Sequence, residues 1–320
     1  MELEKYNEIE KNLEIWKKYF ISDLKAQNSS QNTIKTYNRI LDNFIEFCYL
    51  ERVNDNLQSL KDINKYFLNS YIASLKDEIG LSTSSISLYL KVIKKFLLFI
   101  TENNEDSYEI YEKIKKVKIK ESKKEIESYT KAEILKIKKK LIEKLENTNN
   151  YTKYKNYLNL LIILLTGMRA EESLNLKTNY IIDNDDYIKI KIKGKGNKER
   201  FNYIHKDDIK IYLDKLFKLR TKNNITSNYL FATKNNKKPI YESLLRFNQR
   251  FLTSLFIKPK GLHAYRHYIA QQMVENDINL ETIKEWLGHS TIQITSIYYA
   301  KTSEKAKRNS IKKLKEKNVF

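Results

Sequence analysis

The chain is poor in the residues that break or crosslink a backbone: its 320 residues hold one Cys, two Pro and six Gly. So few Gly and Pro exclude collagen-like and low-complexity classes, and the lone Cys48 excludes a disulfide framework and suits a reducing compartment. With a single Cys and no His-Glu-x-x-His, no zinc cluster is expected. The sequence also lacks Gly-x-x-x-x-Gly-Lys-Ser/Thr and Gly-x-Gly-x-x-Gly, the loops that cradle nucleotide phosphates. Residues 1–18 interleave charged and apolar side chains with no uninterrupted hydrophobic core, so no signal peptide is expected. The longest apolar run, 157–168, is broken by Asn159 and falls short of the roughly 18 residues of a membrane span. These absences lead to the expectation of a cytoplasmic protein without a membrane span.

Positive charge is present in excess. The chain has 60 Lys plus Arg against 40 Asp plus Glu, a formal charge of +20. A polyanion is the partner such a balance calls for, nucleic acid first, with an anionic membrane surface or plain solvation left open. Only nine of the basic residues are Arg, and Ile and Asn are abundant beside Lys, a bias that codon usage can produce. Scarce residue types therefore carry more information. Five of the six Gly (167, 194, 196, 261 and 288) and all four His (205, 263, 267 and 289) fall between 167 and 289, which places any chemistry in the second half.

At roughly 100 to 200 residues per domain, the length predicts two domains. Helical stripes fill the first: an opening helix near 13–24, then Ile34, Tyr37, Leu41, Phe44 and Cys48 after an Asn32 N-cap. Ile63, Phe67, Tyr71 and Leu75 form another stripe, and Ile86, Leu90, Ile93, Leu97 and Ile100 a fourth after the serines at 82–85. A charged stretch at 104–127, with seven Lys between 113 and 124, reads as a linker between a helical domain at 1–103 and a second domain at 128–320. The second domain opens on the capping box of Thr130 and Glu133 and stays helical to Thr166. There the period drops to two. Ile188, Ile190 and Ile192 alternate with Lys, and turns at 184–186 and 194–197 predict an antiparallel meander of 180–182, 188–192 and 200–204. Helices follow, with Asn279 and Ser290 as N-caps and a basic amphipathic helix at 302–317. The fold class is mainly α with a small antiparallel β-sheet.

Four segments carry chemistry: Thr166-Gly-Met-Arg169-Ala-Glu-Glu172, Gly194-Lys195-Gly196-Asn-Lys-Glu-Arg200, His263-Ala-Tyr-Arg266-His267, and Leu287-Gly-His289 followed by Tyr298-Tyr299. The residues singled out in them are two guanidiniums (Arg169 and Arg266), one ammonium (Lys195), two imidazoles (His263 and His289) and a phenol (Tyr298). That inventory suits a phosphodiester, because a guanidinium fork can neutralise the non-bridging oxygens of a pentacoordinate phosphate. Each residue alone has an ordinary explanation: Arg169 as a helix-terminal cation, Lys195 as a turn residue, His289 as a packing residue, Tyr298 as one of 23 Tyr.

In order and spacing the four segments resemble the tyrosine recombinase (phage integrase) family, its Xer-like branch in particular. That pattern has Thr-Gly-x-Arg-x-x-Glu, Gly-Lys-Gly, His-x-x-Arg-His, Leu-Gly-His and a Tyr nine residues on, and here Tyr298 lies nine after His289. The resemblance implies an N-terminal helical core-binding domain, SAM-like, and a C-terminal catalytic domain. It implies a site-specific recombinase that cuts and rejoins DNA through a 3′-phosphotyrosyl link, for dimer resolution in chromosome segregation or for mobile-element integration. Arg169 and Arg266 would clamp the phosphate, Lys195 would protonate the leaving 5′ oxygen and His263 would move protons. His289 would hydrogen-bond the phosphate, Glu172 would orient these groups, and Tyr298 would be the nucleophile in preference to Tyr299, which on a helix points about 100° away. The resemblance implies no cofactor and no metal. The partners it implies are a double-stranded DNA site, a homotetramer on two such sites at the nucleoid, and an activating protein in some systems. Two alternatives stand beside it: a type IB topoisomerase, and a catalytically idle DNA-binding protein on the same scaffold.

Overall fold

The computed structural model describes residues 8–54, 56–104, 109–120, 127–194, 198–288 and 291. The chain divides into two compact units, 1–124 and 125–320. Among the described residues no helix is long and apolar enough to cross a membrane.

The first unit is a bundle of α1 (Glu8–Ala26), α2 (Gln31–Val53), α3 (Lys65–Asp77), α4 (Thr83–Asn103) and the short α5 (Ile110–Ile114). Each long helix buries one stripe: Leu13, Phe20 and Leu24 on α1, Leu41, Phe44 and Cys48 on α2, Leu68, Tyr71 and Leu75 on α3, and Ile93, Phe96, Leu97 and Ile100 on α4. Side-chain caps set where they start. Ser82 accepts from the Ser85 amide and Asn64 from those of Tyr66 and Phe67.

Two expectations change here. The N-cap of α2 is Ser30, whose hydroxyl accepts from the Thr33 amide at 3.1 Å, so Asn32 lies inside the helix. Within 104–127, moreover, Ile110, Ile114 and Val117 are buried in the bundle core, and Lys94 Nζ on α4 donates to the carbonyls of Lys115 and Val117. The bundle thus continues past residue 103.

The second unit begins with the Thr130 capping box and α6 (Lys131–Asn147), which packs along α7 (Tyr151–Thr166). α7 is the buried axis of the unit, with Leu158 and the run 160–163 all inaccessible to solvent. Beyond it come the short α8 (Ala170–Leu174) and the strands β1 (Ile181–Asp183), β2 (Tyr187–Lys193) and β3 (Glu199–His205). The sheet is an antiparallel meander in the order β1-β2-β3, with Ile190 opposite Asn202 and Ile192 opposite Arg200. Ile188, Ile190 and Ile192 point into the core and the intervening Lys189 and Lys191 toward solvent, where Lys189 Nζ sits 4.0 Å from the centre of the Phe201 ring. The unit continues with α9 (Lys206–Lys222), α10 (Tyr241–Thr253), α11 (His263–Glu275) and α12 (Leu280–Leu287), the last capped by Asn279 as expected. Ser290 and 302–317, expected as an N-cap and a helix, lie outside the described residues.

Candidate active site

Three chain segments meet around α7's C-terminal end. Gly167 ends α7 in the left-handed region, with φ of +66°, and turns the chain so that Arg169 stands at the start of α8. A Cβ on Gly167 would lie 3.1 Å from side-chain carbons of Ile269 and Leu287, so α11 and α12 pack directly on this turn. The Thr166 carbonyl accepts from Trp286 Nε1 at 2.8 Å and from Asn202 Nδ2 at 3.1 Å, which ties α12 and β3 to the same point.

The guanidiniums are held, not left to wander. Arg266 is 4% exposed and donates Nη1 to the Gly167 carbonyl (3.1 Å) and Nη2 to the Leu287 carbonyl (2.6 Å). Arg169 donates Nη1 to Glu172 Oε1 (3.0 Å) and Nη2 to the Gly288 carbonyl (3.2 Å), while its backbone amide donates to Glu172 Oε2 (2.8 Å). Its side chain remains 38% exposed, so this cation faces outward where Arg266 is locked within. Fixing a charge before a ligand arrives is what makes it useful in a transition state, since no reorganisation is then needed.

Glu172 is the buried anion of the group. Burial pushes its carboxyl up, but the hydrogen bonds and charge of Arg200, with the amide and charge of Arg169, outweigh it and hold the pKa below the ordinary carboxylate value. His263, the first residue of α11, keeps an edge open to solvent. Its ring is packed closely enough that burial, followed by the charges of Arg266 and Arg169, lowers its pKa, against an opposing pull from Glu172. The imidazole is thereby held neutral near pH 7, able to accept a proton. One turn on, His267 is lowered further, to about 4, by burial and then by the charges of His263 and Arg266.

Four of the expected site residues, Arg169, Glu172, His263 and Arg266, are thus gathered within reach of each other's charge. Lys195, His289 and Tyr298 lie outside the described residues. Their described neighbours belong to the same cluster: Gly288 and Leu287 offer their carbonyls to the two arginines, and a Cβ on Gly194 would stand 3.9 Å from Glu172 Oε1.

One residue of the cluster was given no role from sequence. Arg200 on β3 grips Glu172 with both prongs, Nη1 to Oε1 at 2.9 Å and Nη2 to Oε2 at 2.7 Å, and donates Nε to the Trp286 carbonyl at 3.0 Å. A signal for it existed. Arg200 is in phase with Asn202 and Ile204, the core-facing positions of β3, and an arginine on the inward face of a strand calls for a buried anion.

Known proteins are similar to the chain in sequence and in fold. Residues 135–305 match the sequence pattern of the phage integrase family, and residues 13–98 that of the phage integrase SAM-like domain. The tyrosine recombinase XerC of Rickettsia bellii is 30% identical over 313 residues, which cover 91% of this chain and 92% of that protein. The tyrosine recombinase XerA of Pyrococcus furiosus is 29% identical, over 90% of each chain. Among solved structures, the XerH site-specific recombinase bound to palindromic difH substrate, a post-cleavage complex, aligns with a TM-score of 0.76 at 23% identity, covering 89% of this chain and 81% of that one. A lambda integrase dimer bound to a COC′ core site aligns with a TM-score of 0.63 at 17% identity, over 89% of this chain and 94% of that one.

Proposed function

The chain belongs to the phage integrase family, the tyrosine recombinases, and on that premise we propose how its residues divide the work of cutting and rejoining DNA. Arg169 and Arg266 bind the non-bridging oxygens of the scissile phosphate. The Tyr298 hydroxyl attacks phosphorus, forming a Tyr–O–P bond as the P–O5′ bond breaks. His263 takes the phenolic proton, Lys195 protonates the departing 5′ oxygen, and His289 donates a hydrogen bond to the phosphate. Glu172 keeps Arg169 aimed. The 3′-phosphotyrosyl link conserves the energy of the broken bond, so a 5′-hydroxyl from a second duplex reverses the step and exchanges strands.

The observation that supports this most is the pair of guanidiniums fixed by carbonyls and Glu172 beside a neutral His263, a ready-made cradle for a phosphate passing through five-coordination. XerH and lambda integrase are each seen on DNA sites, and lambda integrase also as a tetramer on a Holliday junction. By analogy, this protein acts as a homotetramer on two double-stranded sites, in the cytoplasm at the nucleoid. The N-terminal helical bundle and the catalytic domain of 128–320 would each bind DNA. Resolution of replicon dimers and movement of an element both fit. A type IB topoisomerase would use the same chemistry on one duplex, and an idle scaffold would have no reason to keep Arg169, Arg266 and His263 together.

The test is covalent capture. The full-length protein is mixed with sheared DNA of its own genome, adducts are recovered after denaturation, and the attached fragments are sequenced to give the site. A nicked suicide duplex of that site then traps wild type, and Tyr298→Phe is expected to bind the site and form no adduct. An adduct with Tyr298→Phe that is lost with Tyr299→Phe would move the nucleophile by one residue, and no adduct with wild type would sink the recombinase reading.

A further inference from the structure

Arg200, the last residue of the Gly194–Arg200 segment, bonds to Glu172 of the Arg169 segment and packs against Gly288 of the His289 segment. It lies on β3, holds Glu172 of the Arg169 segment by two prongs, and donates to the carbonyl of Trp286 on α12. Its side chain is 12% exposed. It also meets Gly288 face to face: a Cβ there would fall 2.8 Å from Arg200 Nη1, so the chain before His289 is shaped around this guanidinium.

The charges matter as much as the contacts. A carboxylate buried beside a phosphate site repels the phosphate and draws the nearest cation to itself. Were Arg169 the sole counter-ion of Glu172, the pair would be neutral and the clamp would lose half its charge. With Arg200 present, Glu172 has a second counter-cation, bonded to both of its oxygens. Arg169 gives Glu172 one Nη contact where Arg200 gives two. A bidentate guanidinium–carboxylate pair is also the stiffest geometry these groups can adopt. The lowered pKa of Glu172, to which Arg200 contributes most among its partners, agrees with that division.

We propose that Arg200 is a positioning residue for cleavage: it neutralises and orients Glu172 so that Arg169 keeps its charge for the scissile phosphate, and it ties β3 to the end of α12 at Trp286. This inference rests on the assignment of Arg169 to the phosphate made above. No step of the chemistry passes through Arg200 itself.

The experiment uses the full-length protein on the nicked suicide duplex, with single-turnover adduct formation and site binding measured separately. Arg200→Gln keeps hydrogen-bonding capacity but not charge, and is expected to slow adduct formation by on the order of a hundredfold, the effect of a small misplacement of reacting groups, with site binding little changed. Arg200→Lys, which restores the charge without the fork, should recover part of that rate. The decisive variant is the double one. If Arg200 acts by neutralising Glu172, then Arg200→Gln with Glu172→Gln removes the unmatched carboxylate and cleaves faster than Arg200→Gln alone. A purely structural arginine predicts the opposite, because the second change removes further contacts. Should Arg200→Gln fail to fold, Arg200→Lys decides by keeping site binding and losing rate. A wild-type protein that forms no adduct defeats the recombinase reading itself. A wild type that cleaves, with Arg200→Gln cleaving as fast or the double variant no faster than the single, defeats only the role of Arg200.

Discussion

Arg169 and Arg266 hold the same kind of charge in different ways, and the difference separates what their loss should do. Each would contribute a preorganised cation, so Arg169→Ala and Arg266→Ala should each slow adduct formation by about a hundredfold or more. Arg266 is also buried against the carbonyls of Gly167 and Leu287, and its removal leaves those acceptors unpaired inside, a cost of about 1–3 kcal/mol each at most. Arg169 is 38% exposed and leaves little behind. Thermal unfolding should therefore show a clear fall in Tm for Arg266→Ala and a small one for Arg169→Ala, while cleavage falls in both. Cleavage near the wild-type rate in either variant would break the clamp. The histidines add a pH dependence. His267 has its pKa lowered from 6.5 to about 4 by burial and then by the charges of His263 and Arg266. Above 6.5 both folded and unfolded states are neutral and nothing is gained or lost. As pH falls below 6.5 the unfolded chain takes the proton while the folded one refuses it until about 4, so stability declines across that window. His263 acts with the same sign, and the lowered Glu172 carboxyl adds its own loss at lower pH as it protonates. The Tm of wild type should fall between about pH 7 and about pH 5, and that of His267→Gln should fall less. Parallel falls in the two proteins would remove His267 from this account.

At the scale of elements, the loop between α12 and His289 shows why the motif needs glycine. Gly288 has φ of +65°, and a Cβ there would meet the Arg200 guanidinium at 2.8 Å. Gly80 has a similar φ of +72° with open space around it. Gly80→Ala should thus lose only the backbone term of about 1–2 kcal/mol, whereas Gly288→Ala should lose that much and displace Arg200 as well. The expected outcome is a larger loss of Tm in Gly288→Ala than in Gly80→Ala, with slowed adduct formation in Gly288→Ala alone; equal cleavage by the two variants would show that the Gly288–Arg200 approach is idle. The same elements show what a sequence discloses. The sheet was legible because Ile188, Ile190 and Ile192 alternate with Lys between two turn signals, and the register follows. The Thr130 capping box was legible because both of its side chains are local. The α2 cap was misplaced because Ser30 and Asn32 both offer an oxygen ahead of the same apolar stripe, and the added bond of Ser30 Oγ to Thr33 Oγ1 at 2.8 Å is seen only in three dimensions. α5 was hidden by the lysines in and after it: Ile110, Ile114 and Val117 have helical spacing, yet charge dominates the window. Within the site, the order and spacing of the segments singled out Arg169, Glu172, His263 and Arg266, which the structure brings together. Arg200 carried only its inward phase on β3, because its partners stand 28 and 86 positions away.

Over the whole molecule the charge is unevenly shared, which bears on whether it is a footprint or a by-product of composition. Residues 125–320 hold 39 Lys and Arg against 21 Asp and Glu, so 18 of the 20 surplus charges fall in the second unit. A codon bias toward Lys acts on both units alike, yet the first unit is almost balanced. The excess follows the unit with the candidate site. Part of it is in the last 18 residues, where seven Lys and Arg face two Glu, interrupted by Ile311 and Leu314 at helical spacing. A tail that only gripped DNA would have no use for that apolar pair, and one that docked on a neighbouring protomer would. Docking head to tail would close a ring of four and would let the packing of one protomer govern the next one's nucleophile. Salt dependence separates the two roles. If each protomer neutralises about 8 phosphates, log K against log salt should slope near about −7 for duplex DNA. Truncation after Thr302 removes five net positive charges. If those charges touch DNA, the slope for a single protomer on one site becomes shallower by several units; if the segment docks on a neighbour, that slope holds while assembly on two sites and strand exchange fail. Docking is the expected result. A truncated protein that still assembles tetramers and exchanges strands at the full rate would leave the segment no part in the ring, because the apolar pair that distinguishes it from a simple basic tail would then have been removed without consequence.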